Sequence, residues 1–595
     1  MIQEALTNSS TLIWSVAELL RGDYKQSEYQ KVVLPFTVLR RLDSVLNAKK
    51  AEFLDKAKKV EGMEGAEKAL ESIARTTYGH TFYNTSPLDF ARLLDDADNV
   101  KGNLQKYVAG FSPGVREVME RFNFDSIVTD LARKNLLYKV VGRFADTDLH
   151  PDTISNLEMG YLYEELIRKF SELSNETAGE HFTPREVIRL MVNLLITEDD
   201  DILTKPGRIA TVYDPAAGTG GMLSVAEAHI REHNSGANVA LFGQELNDET
   251  FAVAKSDMMV KGQDASRIVP GNSFTDDGHP KETFDYILAN PPFGVDWGKY
   301  AEPIIEEHKT KGFDGRFGPG LPRKSDGSML FLLHMISKMK PASKGGSRIA
   351  IIFNASPLFT GSPGGGESEI RRWIIENDWL ETIVAMPEQL FYNTGIATYV
   401  WVVTNNKSDE RKGLVQLIDA REMWTPMKKS LGDKRRMFSE EQIAEITRIH
   451  QDFTDADDKV SKVFPNHHFG FQRITVDRPM EDRSVDKNGQ PAADSALRDT
   501  ETVPLPEENY PWVSDPKDRL ADEAHRDTVE AYMKEEVLPW VPDAWVDHGK
   551  TKIGYEIPFT REFYVYEPPR SLEEIDADIE GIESEILALL EEIRR

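Results

Sequence analysis

Arg208-Ile-Ala-Thr-Val-Tyr-Asp-Pro-Ala-Ala-Gly-Thr-Gly-Gly-Met-Leu223 reads as three elements in succession. Arg208 to Tyr213 make a short buried strand, Asp214 to Leu223 a glycine-rich loop, and the residues from there through about His229 a helix. Gly218, Gly220 and Gly221 let the backbone pass close to a ligand, as in nucleotide-binding strand-to-helix turns. The spacing is not that of a dinucleotide fingerprint and no Lys-Ser/Thr pair closes the loop, so a polyphosphate is not expected. A cationic amino-acid cofactor fits better, with Asp214 facing its ammonium group.

Downstream, the same grammar repeats at three strand ends. Val239 to Glu245 is a strand whose terminal acid is placed to accept two ribose hydroxyls. Ile268 to Phe274 is a third strand end that offers Asn272 to an adenine edge and Phe274 to its face. The apolar run from Phe284 to Ala289 then stops at Asn290-Pro291-Pro292-Phe293. Such a corner suits a planar exocyclic amine, whose lone pair is delocalised into its ring. The Asn290 carboxamide oxygen and the Pro291 carbonyl would accept its two hydrogens, Pro291 and Pro292 would stiffen the turn, and Phe293 would stack a base swung out of its duplex. Taken alone the tetrapeptide reads first as a turn that ends a strand; four such elements in chain order on successive strand ends point to a site.

From about residue 176 to 430 strands and helices alternate, which implies a doubly wound, mainly parallel sheet with ligands at the carboxyl ends of its strands. Arg348–Phe353, Glu381–Met386 and Thr398–Thr404 are further strand candidates, the last two suited to an antiparallel pair.

The segments Gly179-Glu-His-Phe-Thr-Pro-Arg185, Asp214 to Leu223, Gln244-Glu-Leu246, Gly271-Asn-Ser-Phe274 and Asn290 to Phe293 together resemble the modification (M) subunit of type I restriction-modification systems. Asp326 to Phe331, Arg348 to Phe353 and Leu390 to Ile396 extend the resemblance, which covers roughly residues 10 to 430. It implies an α/β, Rossmann-like S-adenosylmethionine-dependent methyltransferase domain acting on adenine N6 in DNA, with an α-helical N-terminal domain and a helical C-terminal tail. Asn290, Pro291, Pro292 and Phe293 would then be catalytic. Cofactor contacts would come from Glu180, His181, Phe182, Thr183 and Pro184, the last three packing over the methionine end, and from Asp214, Ala216, Gly218, Thr219, Gly220, Glu245, Asn272 and Phe274. His181 departs from the family pattern. Implied partners are DNA, a specificity subunit, a second M subunit and, as an optional member, a restriction subunit. Methyltransferases of RNA bases or protein glutamine carry a similar corner, and a non-catalytic assembly subunit is a further alternative.

Composition excludes other chemistry. The 595 residues contain no cysteine, so methylation at pyrimidine C5, which needs a thiolate nucleophile, is excluded, as are disulfides and thiolate metal sites. The adjacent His467 and His468 lack ligand partners at useful spacing, and no metal site is expected. Lys plus Arg number 71 against 100 Asp plus Glu, a net charge of −29. That is the wrong sign for gripping a phosphate backbone with the whole surface, so the resemblance implies a grip lent by the specificity subunit. No apolar run reaches membrane-spanning length and no secretory pattern opens the chain, so a cytoplasmic protein is expected.

Four regions follow: a helical domain over 1–170, the catalytic domain over 171–430, a mixed, partly irregular region over 431–565, and an acidic assembly helix over 566–595. In the first, Arg40-Arg41 reads as a solvated helix face rather than a DNA contact. In the second, the basic, glycine-rich stretch 307–327 reads as a mobile loop that touches DNA or a partner, or simply as a surface loop. Tyr392 and Asn393 border the base or pack in the core. In the third, 476–520 reads as a linker or a partly disordered insertion. In the fourth, Leu572, Ile575, Ile579, Ile582, Ile586, Leu589 and Ile593 form a heptad seam with acidic flanks, suited to a basic partner helix or to packing within the chain.

Overall fold

The computed structural model describes residues 15–174, 183–196, 207, 209–392, 394–485, 491–566 and 571–594. Backbone contacts divide it into two units, residues 1–557 and 558–595.

The first unit opens with helices, the longest being Tyr29–Asn47 and Asn156–Ser174, and no strand precedes residue 209 among the described residues. Helix Tyr29–Asn47 is buried on nearly every side, which corrects the expectation for Arg40-Arg41. Arg41 is 2% exposed and donates to the carbonyls of Leu149 and Ile154 and to Asn156 Oδ1; Arg40 bonds Thr147 O and pairs with Asp43. Neither faces solvent, because each guanidinium ties this helix to the loop leading into Asn156–Ser174.

The sheet begins with β1 (Ile209–Asp214), β2 (Asn238–Glu245), β3 (Ile268–Pro270), β4 (Tyr286–Ala289) and β5 (Arg348–Asn354). It continues with β6 (Leu380–Met386), β7 (Thr398–Thr404) and β8 (Leu414–Asp419). A separate hairpin follows, β9 (Thr425–Leu431) and β10 (Lys434–Met437), and then β11 (Ser461–Pro465) returns to the sheet. The nine strands lie in the order β11-β8-β6-β7-β5-β4-β1-β2-β3. Neighbours from β3 to β5 run parallel, while β7 is antiparallel to both β5 and β6. β5, β6 and β7 are fully or nearly fully buried and rich in β-branched residues, as strands covered on both faces must be. The strand order reverses between β1 and β4, and there the carboxyl ends open a crevice.

Beyond the sheet, β12 (Gly470–Asp477) pairs with β13 (Asp499–Pro504), β14 (Trp545–Val546) and β15 (Lys552–Tyr555). The stretch expected as a linker therefore contains a strand. β13 is mostly exposed and polar, so hydrophobic alternation does not announce it; its backbone pairing with β12 holds it. Residues 486–490 of that stretch lie outside the described residues.

The second unit ends in helix Leu572–Arg594. Ile579, Ile582, Ile586 and Leu589 are 50–59% exposed. The side chains of Leu572 and Ile593 lie outside the described residues. No helix among the described residues is long and apolar enough to cross a membrane.

Candidate active site

Strand β1 delivers Asp214 to the crevice, 2% exposed, with its Oδ1 accepting the Ala216 N–H at 2.9 Å. Burial pushes its carboxyl up to about 7; the Ala216 N–H opposes that shift and the nearby Glu245 adds to it. The loop after it turns through left-handed backbone at Gly218 (φ 53°) and Gly220 (φ 79°), conformations that favour glycine. Helix Gly221–His233 starts there, presenting its N-terminal N–H groups to the crevice floor.

Glu245, at the end of β2, accepts the Gly218 N–H at 2.7 Å through Oε2 and the Asn247 N–H at 2.8 Å through Oε1. Burial raises its carboxyl while these two N–H groups pull it back. After β3 the chain turns at Gly271 (φ 129°), and Asn272 Oδ1 caps the turn by accepting the Phe274 N–H at 2.8 Å. Strand β3 thus ends at Pro270, and Asn272 and Phe274 sit in the following turn. Phe274 packs on Phe331, ring centroids 4.5 Å apart.

Arg316 braces this turn from behind. Its guanidinium donates to the carbonyls of Ser273 (2.8 Å) and Phe274 (2.6 Å) and pairs with Glu307 at 2.6 Å. Of the cations in the 307–327 stretch, Arg316 is thus committed internally, while Lys311, Arg323 and Lys324 are exposed. The loop is also folded back, with Lys324 O accepting the Trp297 N–H and Val295 O the Gly327 N–H. Gly318 and Gly320 lie so close to the backbone of Gly312 and Gly366 that a Cβ would collide, and the glycines serve that approach.

At the end of β4, Asn290 is 8% exposed and its Nδ2 donates to Thr183 Oγ1 at 2.9 Å. Thr183 precedes helix Arg185–Ile196, whose first residue pairs with Glu164 of helix Asn156–Ser174 at 2.6 Å and donates to Gly221 O at 3.2 Å. Phe293 meets Phe391 edge-on at 6.4 Å. Tyr392 is half-buried beneath the Lys434 ammonium, and Asn393 lies outside the described residues.

A cleft of about 440 Å³ joins these strand ends. Of the expected residues, Ala216, Gly218, Glu245, Asn272, Phe274, Asn290 and Pro292 line it. A smaller adjoining pocket of about 50 Å³ contains Thr183, Asp214, Thr219 and again Ala216, Gly218 and Asn290. Asn290 therefore borders both spaces. Gly220 lines neither; a Cβ there would face Ala254 at 3.4 Å, so it serves helix packing. Pro291 and Phe293 also lie off both linings. Glu180, His181 and Phe182 are outside the described residues. Sequence reasoning missed Leu246, Thr250, Trp297 and Tyr300, which line the cleft. The aromatic pair just after the corner was the available signal. Among the described residues no cluster of three potential metal ligands occurs, and His467 and His468 sit on the short helical turn Asn466–Phe469 that follows β11.

With this geometry in view, similarity to known proteins is decisive. Residues 155–467 match the N-6 DNA methylase family and residues 10–144 the HsdM N-terminal domain. The chain belongs to the N-6 DNA methylase family. It is a modification subunit of the type I restriction-modification kind and an adenine-specific DNA methyltransferase by family. The methylase is 30% identical over 368 residues to the type I restriction enzyme HindI methylase subunit of Haemophilus influenzae, spanning 60% of this chain and 73% of that protein. It is 29% identical to the MjaIX methylase subunit of Methanocaldococcus jannaschii over 56% of this chain and 53% of that protein. In fold the methylase is similar to the type I restriction-modification system methyltransferase subunit from Streptococcus thermophilus, at 22% identity and a TM-score of 0.60, covering 78% of this chain and 97% of that one.

Proposed function

We propose that the methylase transfers a methyl group from S-adenosylmethionine to N6 of an adenine flipped out of duplex DNA. The single observation that carries this reading is the position of Asn290, a buried carboxamide at the border of a nucleoside-sized cleft and a small adjoining pocket.

The cleft's chemistry fits the cofactor. Glu245 is held by two backbone N–H groups with its carboxylate toward the cleft, as a ribose acceptor needs. Asn272 and Phe274 supply an edge and a ring. Asp214 is a buried acid that a cationic amino-acid moiety would keep ionised. When bound, the cofactor supplies an electrophilic methyl group. The chain's own work is positional: Asn290 and the Pro291 carbonyl accept the amine hydrogens and turn its lone pair out of the ring plane, and Phe293, backed by Phe391, stacks the base. No strong base is needed, because the methylated amine is acidic and loses its proton to water.

The enzyme works in the cytoplasm as part of a complex with a specificity subunit and a second modification subunit, and a restriction subunit joins where cleavage accompanies modification. The acidic, apolar seam of Leu572–Arg594 supports a basic partner helix for that assembly.

The test is transfer of labelled methyl to duplex DNA, with this chain alone and then with the specificity subunit encoded beside it, the product being read as N6-methyladenine. Product is expected with the partner present. Cofactor binding without DNA product in either case would overturn the reading in favour of RNA or protein glutamine.

A further inference from the structure

Beside the corner that ends β4, this acidic chain carries a concentrated positive surface, the β9–β10 hairpin. Thr425 to Met437 holds five Lys or Arg residues against a single acid, Asp433. Lys428, Lys429 and Arg435 are exposed and Arg436 is half-exposed. Among the described residues none of these four pairs with a carboxylate; the only ion pair of the hairpin's cations is that of Lys434. Arg436 lies over the Trp424 ring at 4.0 Å, which keeps its guanidinium spread on the surface.

The hairpin's seat fixes that location. Asp433 N–H donates to Tyr392 O at 2.8 Å, and Arg435 N–H to Gln389 O at 2.9 Å. The fifth cation, Lys434, is buried and serves as the anchor: it pairs with Glu186, at the start of the helix that follows Thr183, and donates to Leu390 O at 2.8 Å. The 389–392 segment carries Phe391, the ring that backs Phe293. One buried cation thus fastens the hairpin to both the Asn290 side and the Phe293 side of the corner, while the remaining cations point into solvent.

We infer that this hairpin grips the phosphate backbone of the DNA duplex next to the flipped base, through Lys428, Lys429, Arg435 and Arg436. The inference rests on the reaction proposed above and assigns its DNA-contacting surface. Free, uncompensated cations on a short ribbon suit phosphates, which demand charge and reach but no sequence readout. The chain as a whole, at a net charge of −29, repels DNA, so local positive strips such as this one must supply its own share of the grip.

The experiment uses the full chain and a labelled duplex, with affinity measured across roughly 50–200 mM salt. Lys428→Gln/Lys429→Gln/Arg435→Gln is expected to reduce the slope of log K against log salt by about 2.7, near 0.9 for each phosphate no longer neutralised, with roughly tenfold or greater weakening. Cofactor affinity should stay unchanged, which checks folding. Removing three exposed lysines of the helical N-terminal region, Lys58→Gln/Lys59→Gln/Lys106→Gln, should leave the slope alone. A wild-type slope in the hairpin variant, equal losses in both variants, or no DNA binding by the wild-type chain at the lowest salt would each overturn the inference. So would an unchanged slope with lost co-purification of the specificity subunit, which would make the hairpin a protein-binding surface. Absence of N6-methyladenine from the wild-type complex would instead count against the reaction, so the two failures are distinguishable.

Discussion

The two halves of the cleft are built differently. On the half proposed for the cofactor, most side-chain hydrogen bonds are to neighbours close in chain, Asp214 with Ala216, Asn272 with Phe274 and Glu245 with Asn247, while the Gly218 bond to Glu245 and the Arg316 brace on Ser273 and Phe274 reach further. On the base half, Asn290 is held by Thr183, Phe293 by Phe391, and the rim by Lys434. Those partners come from chain segments about a hundred residues or more from the corner, on either side of it. The cofactor half is therefore a local design that short motifs can specify, and the base half is assembled only when the sheet closes. Binding should survive damage to the second half, and turnover should not.

The sharpest way to break that contrast is Asn290→Ala. Turnover is expected to fall by about 10²–10³-fold or more, as for loss of one preorganised polar group in a water-poor site, while calorimetry shows unchanged cofactor affinity. Equal losses in both would mean the halves are not separable.

Next in size is Glu245→Ala, which should weaken cofactor binding by about 10–100-fold through loss of charge-assisted hydrogen bonds, with turnover at saturating cofactor retained. Unchanged affinity would remove Glu245 from the ribose role.

The third prediction concerns Asp214. In the unliganded protein its carboxyl lies near 7, raised by burial, so it is protonated at lower pH. A cation selects the ionised form, and cofactor affinity should fall roughly tenfold per pH unit below about 7, a dependence that Asp214→Asn removes. Stability of the free protein runs the other way. The folded value exceeds the unfolded 3.8, so Asp214 disfavours the native state increasingly as pH rises from about 4 to 7. A flat binding profile would sink the assignment.

The smallest effect sharpens the comparison from the other side. Thr183→Val removes the acceptor that orients the Asn290 amide and should lower turnover about fivefold, near 1 kcal/mol, with Thr183→Ser close to wild type and cofactor affinity unaffected in both. A change confined to cofactor affinity would move Thr183 to the other half.

Legibility in the sequence followed the same divide. The glycine loop, Glu245 and the Asn290 corner stand at strand ends where short motifs placed them, and β5 to β7 fall where β-branched runs put them. Three readings fell short for one reason, which is that local polarity does not report distant partners. Arg41 is polar yet buried by carbonyls more than a hundred residues away; Arg316 sits in a glycine-rich basic stretch yet braces Phe274; and β13 looks like linker yet pairs with β12. Trp297 and Tyr300 escaped notice because their one signal, an aromatic pair just after the corner, fits a core as well as a cleft wall.

By itself the sequence determined the chemistry on offer: a chain without thiols, a glycine loop with acids at two strand ends, and an Asn-Pro-Pro-Phe corner after a third. Those features depend on residue type and on separations of a few residues, which backbone geometry converts directly into position. Tertiary structure alone decided which groups face the cleft and which hold it up. It sent Gly220 to helix packing, Arg316 to the back of the Phe274 turn and Lys434 to the foot of the basic hairpin, and it left Ile582 of the last helix 58% exposed. Burial and long-range pairing are properties of the packed sheet, and no stretch of chain carries them on its own.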